Sequence, residues 1–399
     1  MISVEEAVAL ILAEARPTAV EQAILSDIFG RALAVPVIAE RTLPPWDNSA
    51  MDGYALRAAD ARAGKALPIA FTVGAGDAPG ELPPGTAARI MTGAPVPRGA
   101  DAIVKREDTD EHPERVTFTK DARLGDHVRR AGDDVRPGDQ VLPAGHALRA
   151  GEMGLLAALG RTIVAVHARP RVAIVSTGSE LVEADRAPGP GQIAASNGWA
   201  LAAQCLEAGA LPVVFPAVKD DPAALREAFT RALGFDAVLS SGGVSVGDFD
   251  FVKQVTEELG VQPRFWKVAM KPGKPVAFGV ARSGAPVFGL PGNPASSMVA
   301  FELFVRPALR KMAGFASGWE RPRATVILDE PYLHDGKRRH FLRGVLRREG
   351  ELLRARRHSA QGSGMLRSMV GVNALIEIPE SAGALAAGDR VQALLLEAT

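Results

Sequence analysis

The sequence predicts a multidomain α/β protein: a doubly wound, mostly parallel α/β domain joined to a helical domain, an inserted small β domain and a C-terminal β-barrel-like domain. Three observations carry this. From Pro170 to about Gly314, buried strand-like runs alternate with helical periods, the pattern of a doubly wound sheet. Residues 41–144 are rich in Pro and Gly and broken into short β-like runs. After residue 315 the runs alternate again without clear helices. A chain of 399 residues has room for roughly two to four such domains.

Each element follows from local signals. Met1 to Ala15 reads as an amphipathic helix, with Ser3 and Glu6 as a capping box and Val4, Ala7, Val8 and Ile11 on one apolar face. The stretch up to about Glu40 continues in helical texture, and Gly151 to Leu159 is helical again. Together these predict a helical domain from residues 1–40 and 145–169, interrupted by the β insertion at 41–144. Inside the insertion, Ile69 to Val73, Ala88 to Met91, Ala102 to Lys105 and Val116 to Phe118 read as strands. The α/β domain, 170–314, begins with the buried strand Val172 to Val175. It continues as a helix from Trp199 to Ala208 capped by Ser196 or Asn197, a strand from Leu211 to Phe215, and a helix from Ala223 to Leu233 with Pro222 at its first position. A strand from Ala237 to Leu239 and a helix from Phe251 to Leu259 follow. The tail, 315–399, has strand patterns at Arg323 to Leu328, Phe341 to Leu346, Glu351 to Arg356, Ala374 to Ile378 and Val391 to Leu396.

Composition excludes several functions. Lys plus Arg and Asp plus Glu each number 46, so the formal net charge is zero, which argues against a general nucleic-acid binder. The basic runs Lys337-Arg338-Arg339 and Arg354 to Arg357 read as solvated strand edges. Cys205 is the single cysteine; intrachain disulfides and cysteine-held zinc or iron–sulfur centres are therefore excluded. The N-terminus lacks a signal-peptide pattern, and no apolar run is long enough to span a bilayer. The expectation is a soluble cytoplasmic protein without membrane or nucleic-acid partners.

The polar loops carry the chemistry. The apolar run ending Val238-Leu239-Ser240-Ser241 opens into Gly242-Gly243-Val244-Ser245-Val246-Gly247-Asp248. Ligands of doubly wound sheets bind at such carboxyl ends, where glycine lets backbone N–H groups approach an anion and serine adds donors. Ser240, Gly242, Gly243 and Ser245 are the candidate contacts, and Asp248 and Asp250 could hold a metal ion beside a phosphate. The same loop alone would serve equally as a structural turn. Ser176-Thr177-Gly178-Ser179-Glu180 leaves a second strand end with hydroxyls and a carboxylate. In Lys219-Asp220-Asp221-Pro222 an aspartate either ligates a metal or caps the helix. Lys267 to Pro275 places three lysines, Lys267, Lys271 and Lys274, in a Pro/Gly-stiffened segment. Pro291-Gly292-Asn293-Pro294-Ala295-Ser296 leads into a helix whose start favours an anion. The set suits a phosphorylated or nucleotidyl substrate with a divalent cation, acting by positioning and electrostatics. In the β insertion, Asp47 to Tyr54 and Ile90 to Pro97 contribute Asn48, Asp52 and Thr92, which serve either as turn formers or as functional groups.

The runs Asp47 to Tyr54, Met91 to Pro97, Ser176 to Leu181, Ser240 to Asp248, Lys271 to Pro275 and Gly289 to Pro294, in this order, resemble the molybdopterin molybdenumtransferase family, the bacterial MoeA type also seen as the E domains of gephyrin and the plant molybdenum insertase. The resemblance covers nearly the whole chain. It implies an α/β domain of the molybdopterin-binding type and an elongated homodimer of four-domain subunits. It also implies a reaction in which adenylylated molybdopterin and molybdate are used, AMP is released and molybdenum is left on the dithiolene. Mg2+ or a similar divalent ion would assist.

Carried over by motif, Asp52 and Thr92 match functional positions of the β domain, which in the family's dimer faces the partner's α/β domain. Asp134 in Gly132-Asp133-Asp134-Val135 matches another, although Asp133 stands where the family usually has Glu. Glu180, Asp220 and Asp250 match acidic positions that would hold the metal or position water. Lys267, Lys271 and Lys274 match the lysines, and Ser296 the serine after Pro-Gly-Asn-Pro. Arg343, in Phe341-Leu342-Arg343-Gly344, and Ser363, in Gln361-Gly362-Ser363, match C-terminal positions that meet molybdate. With Ser176, Thr177, Gly178, Ser240, Gly242, Gly243, Ser245 and Lys274 as substrate contacts, this is the full expected site. The resemblance further implies encounters with the molybdopterin adenylyltransferase and with molybdoenzyme-specific chaperones.

Overall fold

The structure, a computed structural model, describes residues 1–243, 251–334 and 336–397. The chain divides into two compact units. One comprises Met1–Val35, Ala144–Leu148 and the chain from Val164 onward; the other comprises Pro36–Pro143 and Arg149–Ile163.

In the first unit, six strands form one sheet in the order Leu211–Val214, Arg171–Ser176, Ala237–Ser241, Pro286–Leu290, Ala277–Val280, Gln262–Phe265. The first four are mutually parallel and the last two antiparallel. The four inner strands are apolar almost throughout because both faces are covered. Val172, Ile174, Leu239 and Phe288 point to one face, where Leu201 and Cys205 of the helix Asn197–Glu207 pack. Ala173, Val175, Val238 and Val287 point to the other, against Leu225 and Phe229 of the helix Pro222–Ala232 and Val252 and Val255 of the helix Phe251–Glu258. The first face also receives the buried helical run from Pro294 to Met312, which contains a π turn at Phe301–Val305.

The tail closes on itself. The strands Arg339–Glu349, Leu352–Arg357, Arg323–Leu328, Arg390–Leu395 and Ala374–Ile378 pair in that order, and the last pairs back to the first. Closure removes the free edges, and Val326, Leu342, Ile376 and Ala393 fill the interior. The short strand Met270–Lys271 adds in parallel to Arg339 and His340, joining the barrel to the segment that connects the sheet strands Gln262–Phe265 and Ala277–Val280.

At the N-terminus the helix is confined to Val4–Glu14, with the Ser3/Glu6 capping box formed as expected. The rest of the stretch read as helical differs. Pro17 cannot continue the helix, and Val20–Ile24 instead forms a two-stranded ribbon with Ile163–His167.

In the second unit, five strands order as Ala102–Lys105, Gly53–Leu56, Ala87–Ile90, Ala66–Val73, Arg115–Thr117. The strand Gly53–Leu56, second in this order, begins inside the segment read from sequence as a polar loop. The helix Ala150–Ala158 belongs to this unit, with Leu155 and Leu159 against Ala39, Leu43, Val135 and Val141.

The rings of Phe265, Phe278 and Phe288 stack across neighbouring strands, with centroids 5.7 and 5.1 Å apart. Phe278 is the middle ring and is fully buried. Phe278→Ala is expected to destabilise the protein by about 3–5 kcal/mol, read as a lower urea midpoint.

Candidate active site

Two strand ends create the first cavity. Arg171–Ser176 and Ala237–Ser241 run in register, Ser176 opposite Ser241, so their loops open at one level. Thr177 N–H donates to Ser241 O at 2.9 Å, and Gly178 N–H to Val218 O at 3.0 Å. A cavity of about 550 Å³ lies there, lined by Ser176, Thr177, Glu180, Asn197, Asp220 and Ser241 among others. The Ser176 and Thr177 hydroxyls are buried and make no hydrogen bond among the described residues. Such groups cost free energy until a protein group, a water or a ligand pairs with them.

Gly242 follows with φ +101°, and a Cβ there would sit 2.3 Å from Thr177 O. Only glycine fits that conformation beside another backbone. Asp220 is held by a reciprocal pair with Ser179: Ser179 N–H donates to Asp220 Oδ2 at 3.2 Å, and Asp220 N–H to Ser179 Oγ at 3.3 Å. The neighbouring Asp221 is the helix cap, its Oδ1 accepting from Ala223 and Ala224 N–H. Capping therefore falls to Asp221, and Asp220 lines the cavity.

Alternation along the strand decides the serines. Ser241 faces the cavity, where its Oγ accepts from Asn197 Nδ2 at 2.8 Å; the same amide donates to Gly292 O at 2.7 Å and ties two loops together. Ser240, expected as a contact, is corrected: it points to the opposite face of the sheet, 3.5 Å from Phe288 O. Period two forces this once Ser241 faces the cavity. Ser245, Asp248 and Asp250 lie outside the described residues. Among the described residues no group of three or more His, Cys, Asp or Glu side chains is arranged to hold a metal; Glu180 and Asp220 are the two carboxylates of the cavity.

A second cavity of about 590 Å³ shares Pro275, Pro291 and Asn293 with the first. Lys271, Lys274, Arg338, Arg343 and Arg357 line it with Ser296 and Ser363, and no carboxylate is among its lining residues. Arg343 is 1% exposed. Its guanidinium donates to Ser368 Oγ from Nε at 3.3 Å and to Gly362 O from Nη2 at 3.0 Å. Both partners are neutral. Burial without a compensating carboxylate presses the guanidinium below its ordinary value. No carboxylate pairs with this guanidinium among the described residues. Lys267 is exposed and lines neither cavity.

Asp52, Thr92 and Asp134 are carried by the other compact unit. Asp52 Oδ1 accepts from Thr92 N–H at 2.7 Å and Thr92 Oγ1 at 2.9 Å. These two bonds hold the Asp52 carboxyl below the usual carboxylate range, the backbone donor contributing most, with Arg106 and Arg89 adding to the effect. Asp134 is exposed, its backbone fixed by a bond from its N–H to Leu43 O.

The sequence reading missed Asn197 as a tether, Ser241 as a cavity-lining side chain, and Gln361 and Ser368 as supports of Arg343. Strand alternation was the available signal for Ser241. The other three depend on contacts distant in sequence.

Family models for the MoeA N-terminal region (domains I and II), a probable molybdopterin binding domain and the MoeA C-terminal region (domain IV) match residues 2–160, 173–311 and 325–396. A molybdopterin molybdenumtransferase of Nostoc is 42% identical, covering 92% of this chain and 86% of that protein. The chain belongs to the molybdopterin molybdenumtransferase (MoeA) family. Another relative, molybdopterin molybdenumtransferase 2 of Mycobacterium tuberculosis, is 39% identical over 92% of this chain and 93% of its own length. A crystal structure of the molybdopterin biosynthesis MoeA protein of Pyrococcus horikoshii superimposes with a TM-score of 0.85 at 30% identity, covering 99% of this chain and 100% of that one. The family match to the N-terminal region spans Asp52, Thr92 and Asp134. The molybdopterin-binding match spans the first cavity's strand ends and the lysines, and the C-terminal match spans Arg343 and Ser363.

Thr92→Val removes the hydroxyl donor to Asp52 and leaves the backbone donor. The Asp52 carboxyl, depressed in the native protein, is expected to titrate at higher pH in this variant. A native pKa below the unfolded one stabilises the fold above the unfolded pKa, and that contribution is lost as pH falls through the native pKa. The variant should therefore lose it at a higher pH. Carbon-13 titration of the Asp52 carboxyl by NMR checks this; an unmoved curve contradicts it.

Proposed function

We propose that this protein is a molybdopterin molybdenumtransferase, a transferase of molybdenum cofactor biosynthesis that inserts molybdate into adenylylated molybdopterin and releases AMP. One observation carries the reading: a buried arginine without a carboxylate faces a cationic cavity that adjoins a second cavity bearing hydroxyls and two carboxylates. Molybdate is a tetrahedral dianion. It calls for charge-assisted hydrogen bonds, which Lys271, Lys274, Arg343 and Ser363 are placed to supply. The pyrophosphate link of the adenylylated pterin would lie in the first cavity, against Ser176, Thr177 and the Gly242-Gly243 backbone.

Glu180 and Asp220 suit a hard divalent cation by their oxygen donors and shared cavity, and Asp250 is the sequence's third candidate. Magnesium held there would neutralise charge developing at the pyrophosphate during cleavage. The chain's own part is otherwise positional. The buried hydroxyls orient the phosphates, and Asn197 keeps the Ser241 and Gly292 loops at fixed spacing. Arg343 holds the oxyanion where the pterin's sulfurs can receive the metal. The sulfur ligands belong to the pterin, consistent with a single cysteine that is buried, its thiol pushed up to about 12.

The reading includes a homodimer in which Asp52, Thr92 and Asp134 of one subunit complete the partner's α/β cavities, and a cytoplasmic location. Among the described residues no helix is long and apolar enough to cross a membrane. Exchange with the adenylyltransferase upstream and molybdoenzyme chaperones downstream belongs to the same proposal.

The deciding assay mixes the protein with adenylylated molybdopterin, molybdate and magnesium, and measures AMP and inserted molybdenum. The expected result is AMP release with matching insertion; no AMP above the protein-free control rejects the reading. Arg343→Lys should raise the molybdate requirement about ten- to a hundredfold, the loss of roughly 1.5–3 kcal/mol for one charge-assisted bond, with pterin binding nearly intact. Mixed subunits carrying Asp52→Ala and Lys271→Ala should recover activity in heterodimers that neither parent shows. Confirmed heterodimers without recovery would remove the shared-site arrangement.

A further inference from the structure

Arg343 is held from behind as well as facing its cavity. Ser368 is fully buried. Its hydroxyl has one proton, which it gives to Met365 O at 2.5 Å, so toward Arg343 Nε it can only accept. The direction of that bond is fixed. Gly362 O, on the same segment, accepts from Nη2. The backbone of Arg343 is clamped too. Its N–H donates to Gln361 Oε1 at 3.2 Å, while Gln361 Nε2 donates to Arg343 O at 2.8 Å and to His358 O at 2.9 Å. Four bonds from residues 361–368 therefore set both the strand position and the guanidinium plane.

The segment is itself anchored outside the barrel, because Ala295 N–H donates to Ser363 O at 3.1 Å. The wall that carries Ser363 and the arginine that faces it thus share one rigid frame. Neither Ser368 nor the Gln361 amide needs to touch the oxyanion for this frame to matter.

Molybdate and sulfate carry the same charge and the same tetrahedral shape. A cationic cavity alone attracts both, and sulfate is smaller. Donor spacing can separate them by size, and spacing discriminates only if the donors cannot follow a smaller anion inward. We infer that Ser368 and Gln361 are positioning residues that fix the depth and heading of Arg343, and so set the size of tetrahedral dianion the cavity selects. This rests on the reading above that the oxyanion binds at Arg343. Freed at Nε, the guanidinium reorients and closes on the smaller anion as readily as on the larger.

Direct titration with molybdate and, separately, with sulfate tests this on the whole protein, without the pterin. In Ser368→Ala, molybdate affinity should fall about tenfold, the size of one charge-assisted bond's influence. Sulfate affinity should hold or rise, so the molybdate-to-sulfate ratio falls by about tenfold or more. In turnover the loss should appear in KM for molybdate rather than in kcat, with AMP affinity kept. Gln361→Ala, a half-exposed position, should shift the ratio the same way and serves if Ser368→Ala does not fold. Ser368→Cys keeps the size with a weaker acceptor and should fall between wild type and alanine. An unchanged ratio in the folded variants overturns the inference, as does a parallel loss of molybdate, sulfate and AMP binding. Arg343→Ala separates the two levels: if it binds molybdate like the wild type, the oxyanion is elsewhere and the reading beneath the inference fails. If it loses molybdate while Ser368→Ala keeps its selectivity, only the inference fails.

Discussion

The register between Arg171–Ser176 and Ala237–Ser241 is the constraint on which the site depends. Parallel pairing sets Val175 against Ser240 and Ser176 against Ser241, so both chains leave the sheet at the same height. A slip of one residue would exchange the two sets of side chains on a strand, turning Ser241 away from the cavity and Ser240 toward it. The register is enforced by apolar packing on both faces, with Ile174 and Leu239 on one side and Val175 and Val238 on the other. The chemistry at the strand ends is therefore held by hydrophobic burial several residues away. Asn197 and Thr177 fasten what the sheet has already aligned.

Charge is distributed so that each cavity keeps one sign of task. The carboxylates stand on loops from the strand ends, in solvent reach. The buried cation stands on a barrel strand among neutral partners. Several other barrel arginines are neutralised: Arg347 and Arg354 meet Asp329, and Arg339 meets Glu377 and Glu380. Arg343 differs from these in being buried among neutral partners, and a desolvated guanidinium of this kind favours an anion supplied from outside.

Much of the architecture was legible because it rests on local periodicity. The helix Pro222–Ala232 was announced by its proline and the preceding aspartate, and the barrel strands by alternation. The ribbon of Val20–Ile24 with Ile163–His167 was not, because its partner strand lies far along the chain and exposed β-branched residues fit a helix pattern as well. Gly53–Leu56 was hidden by the polar run leading into it. At the site, hydroxyls, carboxylates and lysines could be chosen by type and by family motif. Which serine of the pair Ser240 and Ser241 faces the cavity required the strand's phase, and Ser368 required knowing that the segment after Gln361 folds back under Arg343. Side chains that act through another side chain leave little trace in sequence, since any small polar residue would look the same.

The two-residue strand Met270–Lys271 is paired to the barrel but leads directly into the lysines and prolines of the second cavity. The barrel and this wall are thus sewn together, while the first cavity is built almost wholly from residues that precede the barrel in the chain. On the proposed reading, the residues that would grip phosphate almost all precede Arg323, while Arg343 and Ser363, which would meet the oxyanion, follow it, so substitutions in the barrel could retune the anion with the phosphate contacts unaltered.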